Sequence, residues 1–291
     1  MSVVFRDKNK RNQKIGCRSE FDSLKRVVVC SPAYMKIEEA INETQKKYVD
    51  ENIDIERACR QHHSFVEVMR SHNIEVIELE PAQQYNEQVF TRDIGVCIDD
   101  KVIVSNMGNE VRKGEEELLE ETLQQENSYW EKIQTGTIEG GDIIIDKNKV
   151  WVGISDRTNE SGVKSLQELL PNHQVTAVPI KEEYLHLDCV FNILSSEYAL
   201  IFPGALRQEE YERLSHSYEL FEVEEDEQFT MGVNVLSIAP GKVISLPQNE
   251  KVNKAMRDKG FEVIEVDFSE IIKSGGSFRC CTMPLQRSTN K

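Results

Sequence analysis

Residues able to attack carbon or to carry charge and protons recur at a near-constant interval in this chain. Asp93, Asp142, Asp188, Asn234 and Cys280 follow one another at steps of 49, 46, 46 and 46 residues. Glu139 and His186 stand beside two of them, in EGGD and HLD. A cysteine attacks carbon as its thiolate, a form that a nearby imidazole or a bound cation favours. A histidine within reach can protonate a leaving group and later activate water. Carboxylates facing a concave site suit a planar cation held by forked hydrogen bonds. Cys280, His186, Glu139, Asp93 and Asp188 together suggest attack of a thiolate on a guanidinium carbon. Taken singly, each has an ordinary explanation: a surface ion pair for Arg92-Asp93, a solvated turn for EGGD, a core histidine for His186, an inert buried thiol for Cys280. The shared interval argues against these, because unrelated features have no reason to keep a register.

The elements that must position these residues show the same period. Residues 89–106, 138–155, 185–204 and 233–248 each read as two β-branched apolar strands around a short polar turn. A stretch of helical character follows each pair, and in most units a further apolar strand follows the helix. A period near 50 residues marks a radial or solenoid repeat whose units cannot bury their faces alone. A fifth unit begins near residue 275 and lacks a helix and an outer strand. The N-terminal part of the chain offers them: a strand at 24–32, a helix at either 34–48 or 56–72, and a strand at 73–81. Joining the two in this way closes a ring and leaves no exposed sheet edge. The predicted fold is α/β, a five-unit propeller of pseudo-fivefold ββαβ repeats. One domain is expected to span residues 1–291, with 1–20 a less ordered extension. On strand alternation, Cys280 faces the axis and Cys281 packs as a small apolar residue.

Composition narrows the partners. The 291 residues are 39% apolar, enough for a buried core, and contain no run long enough to span a membrane. Fifty-one acidic against 35 basic residues give a formal charge of −16, a surface that repels nucleic acid and anionic membranes and attracts a small cation. Seven irregularly spaced cysteines do not form a disulfide framework and fit a reducing, cytoplasmic setting. His62 and His63 sit adjacent in a helical stretch and point to different faces, which disfavours a metal pair. The acidic run at 223–228 reads as a solvated loop that can serve as a lid.

FTRD (90–93), IEGGD (138–142), VGISDRTNESG (152–162), HLDCVF (186–191) and GGSFRCCTMPL (275–285) occur in an order that resembles the guanidino-group modifying enzymes of the pentein fold. These include arginine deiminase, the arginine:glycine amidinotransferases and dimethylarginine dimethylaminohydrolase. The resemblance implies Cys280 as nucleophile, His186 as general acid and base, and Glu139 as the acid pairing with the guanidinium. It implies Asp93 and Asp188 as guanidinium clamps, and Arg157 and Arg112 as arginines holding the substrate carboxylate, with Glu87 and Phe90 lining the site. Asp188 stands where methylarginine hydrolases usually carry lysine, and Glu87 replaces an Asn or Asp, so the methylation state of the substrate stays open. The implied reaction is hydrolysis of arginine or a methylated arginine to citrulline through a covalent thiouronium. An amidinotransferase is the first alternative, and a non-catalytic pentein binding module the second. No metal or organic cofactor is expected, and a homodimer is left open.

Overall fold

The computed structural model describes residues 15–288. The strands are short runs rich in valine and isoleucine, arranged as five three-stranded sheets. In chain order come strand β1 (Ser23–Cys30), helices α1 (Glu43–Tyr48) and α2 (Ile55–Ser71), and strand β2 (Glu75–Leu79). The next unit holds β3 (Gly95–Ile98), β4 (Lys101–Val104), α3 (Glu115–Gln125) and β5 (Trp130–Lys132). It is followed by β6 (Ile143–Asp146), β7 (Lys149–Ile154), α4 (Glu160–Leu169) and β8 (Gln174–Pro179). Then come β9 (Phe191–Ile193), β10 (Tyr198–Ile201), α5 (Gln208–Ser215), β11 (Glu219–Glu222) and the short helix α6 (Glu225–Phe229). The last elements are β12 (Leu236–Ala239), β13 (Lys242–Ser245), α7 (Glu250–Asp258), β14 (Glu262–Glu265) and β15 (Met283–Ser288).

Every sheet repeats one pattern. An inner strand pairs antiparallel with a middle strand, and the middle strand pairs parallel with an outer strand reached through a helix. Three of the four inner hairpins turn through left-handed residues, Asp99, Lys147 and Gly241, which supply the positive φ that two-residue hairpin turns need. The fifth unit is shared between distant parts of the chain: β15 is its inner strand, β1 its middle strand and β2 its outer strand. Of the two helices offered by the sequence, α2 takes the crossover position, capped by Asp54 and burying Ala58, Phe65, Val66 and Met69. The five-unit α/β propeller is therefore the observed architecture.

Residues 15–20 depart from the expected loose extension, whose remaining residues lie outside the described ones. Gly16 exchanges backbone hydrogen bonds with Leu285 and Arg287, and Cys17 with Asp99. Glu20 is 4% exposed, and burial alone would raise its carboxyl, but Arg279, Arg92 and Arg287 hold it down at about 2. Among the described residues, no helix is long and apolar enough to cross a membrane.

Candidate active site

The five register residues lie in the turns one to three residues ahead of the inner strands, so they cluster where those strands begin. Cys280 sits in the turn leading to β15. Phe278, two residues earlier, is fully buried and packs against Phe268 and Phe65 at ring separations of 4.6 and 5.1 Å, which anchors the turn. A Cβ on Gly276 would come within 2.5 Å of the Phe90 ring and 3.0 Å of the Cys280 Cβ, so the GG pair is needed for close approach. The backbone N–H groups of Ser277 and Cys280 both donate to Asn234 Oδ1, at 3.2 and 3.1 Å. With its oxygen committed, the amide presents Nδ2 to Cys280 Sγ at 3.1 Å. The Asp188 carboxylate lies 3.6 and 3.7 Å from the same sulfur.

His186 is fully buried between two carboxylates. Its Nε2 meets Glu139 Oε2 at 2.7 Å and its Nδ1 faces Asp93 Oδ1 at 3.7 Å. Burial alone would discharge the imidazole, but Asp93, the Glu139 hydrogen bond and Asp142 outweigh it and raise the pKa to about 10. His186 is thus a cation at neutral pH. Glu139 is likewise fully buried, which would raise its carboxyl, yet the His186 hydrogen bond and charge, with Arg157 and Arg112, lower it to about 2. Its other oxygen accepts the Gly108 N–H at 2.9 Å. Asp142 supports the arrangement from behind: its Oδ1 accepts from Leu187 N at 2.8 Å and its Oδ2 from Ser155 Oγ at 2.7 Å. Gly141 lets the two halves meet, since a Cβ there would lie 2.6 Å from Asp93 Oδ1 and 2.8 Å from the His186 ring.

The remaining expected residues divide. Arg157 is buried near Glu139, at 3.7 Å through Nη1, and that nitrogen has no hydrogen-bond partner, as a carboxylate-binding donor requires. Its Nη2 donates to Ile41 O at 3.1 Å. Arg112 does not present itself in that way. Its Nη1 is paired with Asp93, its Nε and Nη2 bond to Glu115, and Nη2 also reaches the carbonyls of Glu87 and Phe90. Every face of this guanidinium is occupied, so it orients Asp93. Asp188 accepts from Arg279 Nη1 through Oδ2 at 2.6 Å, which fixes the carboxylate with both oxygens near the sulfur. Arg279 in turn donates to Glu20 at 3.1 Å. Glu87 is buried against Gln45 Nε2 at 2.8 Å and Ser274 Oγ at 3.2 Å, and burial lifts its carboxyl to about 7. Asn42 caps α1 and donates to Ser274 O at 3.0 Å, so this pair of contacts clasps α1 over the site.

Asn234 was marked by its register without a role. Arg279, Glu20, Gln45 and Ser274 carried no signal beyond their neighbours in sequence. Cys281 is buried in the core as expected, and burial pushes its thiol up.

A cysteine, an imidazolium between two carboxylates, and a closed ring of five α/β units together define the pentein superfamily of guanidino-group modifying proteins. Its subdivision follows from similarity. The family described as "N,N dimethylarginine dimethylhydrolase, eukaryotic" matches residues 31–287, and the chain belongs to that family. The chain is 47% identical to the uncharacterized protein YkgA of Bacillus subtilis (strain 168), over 96% of this chain and 97% of that protein. It is 27% identical to the N(G),N(G)-dimethylarginine dimethylaminohydrolase of Pseudomonas aeruginosa, over 79% and 89% of the two chains. Among solved structures, SxtG, an amidinotransferase from Microseira wollei, shares the fold with a TM-score of 0.83 at 18% identity, covering 95% of this chain and 98% of its own.

Proposed function

We propose that this chain is a cysteine-dependent hydrolase acting on the guanidino carbon of arginine or a methylarginine. One observation carries the reading: the buried site leaves polar atoms unpartnered that match such a substrate. Asp93 Oδ1 is an anion without a donor, and Arg157 Nη1 is a cationic donor without an acceptor. Buried polar groups normally find partners, so these orphans point to a ligand. A guanidinium fits the first and an α-carboxylate the second.

In this reading the guanidinium binds between Asp93 and Asp188, bringing positive charge against Cys280 and favouring its thiolate. The sulfur attacks the central carbon. His186, already protonated, gives its proton to the departing nitrogen, which leaves as ammonia or an alkylamine. The substrate cation also offsets Asp93, the largest charge holding the proton on the imidazole. The neutral imidazole then takes a proton from water, which attacks the thiouronium and releases citrulline and the thiol. Because Asp93 Oδ1 has no donor and Asp188 offers a second carboxylate across the site, arginine should be preferred over asymmetric dimethylarginine, whose methylated nitrogen cannot donate to both.

An acceptor amine in place of water makes the same chemistry an amidinotransferase. A cavity of about 660 Å³ beside Cys189 and Gly275 offers room for one. Mass spectrometry of wild type and Cys280→Ser with arginine, monomethylarginine and asymmetric dimethylarginine distinguishes the readings. Citrulline from wild type, a Cys280 adduct on acid quench, and a fall of at least about a thousandfold in the variant are expected. No citrulline from any of the three, with amidino transfer to added amines, establishes the transferase.

A further inference from the structure

Cys189 plays no part in the steps above, yet its sulfur lies close to that of Cys280. Its sulfur, the Cys280 sulfur and an Asp188 carboxylate oxygen all lie within 4.8 Å of one another. Asp188 Oδ1 is 3.6 Å from Cys189 Sγ and 3.7 Å from Cys280 Sγ, so one oxygen bridges both thiols. Cys189 belongs to the short turn Leu187–Cys189 that follows His186, whereas Cys280 belongs to the turn before β15. The two are held together by Asn234, which donates to Asp188 O at 3.2 Å and to Cys280 Sγ at 3.1 Å. Cys189 also lines the cavity of about 660 Å³, whose other walls include the exposed residues Glu43, Glu224 and Glu225. The cavity thus opens from solvent onto Cys189, whose sulfur lies within 4.8 Å of Cys280 Sγ.

We propose that Cys189 is a resolving thiol that captures oxidised Cys280 as a Cys189–Cys280 disulfide when a hydroperoxide enters the site. The Cys280 thiolate attacks the distal peroxide oxygen, the O–O bond breaks, and Cys280 becomes a sulfenic acid with release of water or an alcohol. Cys189 sulfur then attacks the sulfenic sulfur, the S–O bond breaks, and the proton from Cys189 passes through Asp188 Oδ1 to the departing hydroxide as water. Two thiols and one peroxide yield one disulfide and two waters, or one water and one alcohol. A dithiol reductant reverses the change by exchange at the disulfide. The two sulfurs differ in their surroundings. Asn234 Nδ2 donates to Cys280 Sγ at 3.1 Å, whereas the hydrogen bond to Cys280 and then burial push the Cys189 thiol well up and favour its protonated form, as the resolving partner in the proposed sequence. A swing of both side chains about χ1 must bring the sulfurs to about 2 Å, a bonding distance. Without the capture, further peroxide drives a sulfenic acid on to sulfinic acid, which dithiols do not reduce. The device thus protects the nucleophile and silences it reversibly.

The formation of the disulfide is independent of the proposed reaction, and only its effect on turnover rests on that reading. The test treats the purified full chain, wild type, Cys189→Ser and Cys189→Ala, with hydrogen peroxide in a few-fold molar excess, enough for the two oxidations that carry a thiol to a sulfinic acid. Unreacted thiols are blocked, the protein is digested without reductant, and peptides are mapped by mass spectrometry. A linked peptide joining Cys189 to Cys280 is expected in wild type, with full return of Cys280 alkylation after dithiothreitol. Both variants should instead accumulate Cys280 sulfinic acid and recover no alkylation. Wild-type Cys280 found as sulfinic acid, or joined to Cys281, overturns the proposal. So does equal recovery in wild type and variants. A disulfide forming in a protein that turns over no guanidine leaves the redox inference standing and removes only its link to the activity.

Discussion

At the scale of the residue, the charge on His186 is set by what surrounds it. Burial pulls its pKa down and Asp93, followed by the Glu139 hydrogen bond, pulls it up to about 10. In the proposed reaction His186 is the general acid, which must hold its proton until the leaving group needs it, so the alkaline fall in kcat should track this group. Asp93→Asn removes the largest favourable charge. His186 then loses its proton at lower pH, and the alkaline limb of the kcat profile moves down by at least about one pH unit. An unmoved limb in the variant would show that Asp93 does not tune the imidazole. Much of this was legible beforehand, because Cys280, His186, Glu139, Asp93 and Asp188 are fixed by interval and motif. Arg112 was not: the sequence shows an arginine in VRKGE but cannot show that Glu115 and Asp93 already occupy it.

At the scale of the element, the recurring device is a tight turn ahead of an inner strand. Strand alternation led us to expect the polar residues on the strands themselves, with Cys280 and Cys281 on opposite faces. The structure moves them into the turns ahead of the strands, short helical ones for Asp142 and Asp188, because a turn can aim a side chain along the axis while the following apolar residues start the sheet. Asp142, for instance, ends a single turn at Gly140–Asp142 whose successor strand is the fully apolar Ile143–Ile145. Gly141 tests the arrangement. Its backbone is not left-handed, so alanine is tolerated conformationally, but the added methyl falls on Asp93 Oδ1 and the His186 ring. Gly141→Ala should cut kcat/KM by about a hundredfold through a displacement below an ångström or so. Thermal unfolding should change far less, because the atoms met are side chains; equal losses in both would assign Gly141 a packing role instead.

At the scale of the whole molecule, buried ionisable groups make stability depend on pH in opposing ways. Glu139 and Glu20, held down at about 2, stabilise the fold above the usual 4.5, and that contribution is lost as pH falls toward 2. His186, held up at about 10, contributes fully below its usual 6.5, and the contribution is lost as pH rises through 10. Glu87 has the reverse sign for an acid: burial lifts it from 4.5 to about 7, so stability declines across that window and stays lower above it. Glu87→Gln keeps a neutral side chain there. The variant should match wild type near pH 5 and exceed it by roughly 2–3 kcal/mol above pH 7, read from denaturant unfolding at the two pH values. No gain at alkaline pH would mean that Glu87 is ionised in the fold. The ring itself could be read from the repeat, including the return of the chain to complete the fifth unit. The ties across it could not, since Gln45 meets Ser274 and Glu20 meets Arg279 over more than two hundred residues outside any period.

The pairing of β1 with β15 sets an order of events during synthesis. The strand at Ser23–Cys30 emerges from the ribosome long before its antiparallel neighbour at Met283–Ser288 exists. Cys280 is also the last of the site residues to be made. A nascent chain therefore carries His186, Glu139 and the carboxylates before it has the sulfur that the proposed reaction needs, and its first middle strand keeps an open edge until Met283–Ser288 is made. Pairing with β2 covers only the opposite side of this strand, so the waiting edge needs other cover in the cell until Cys280 and the closing strand arrive together.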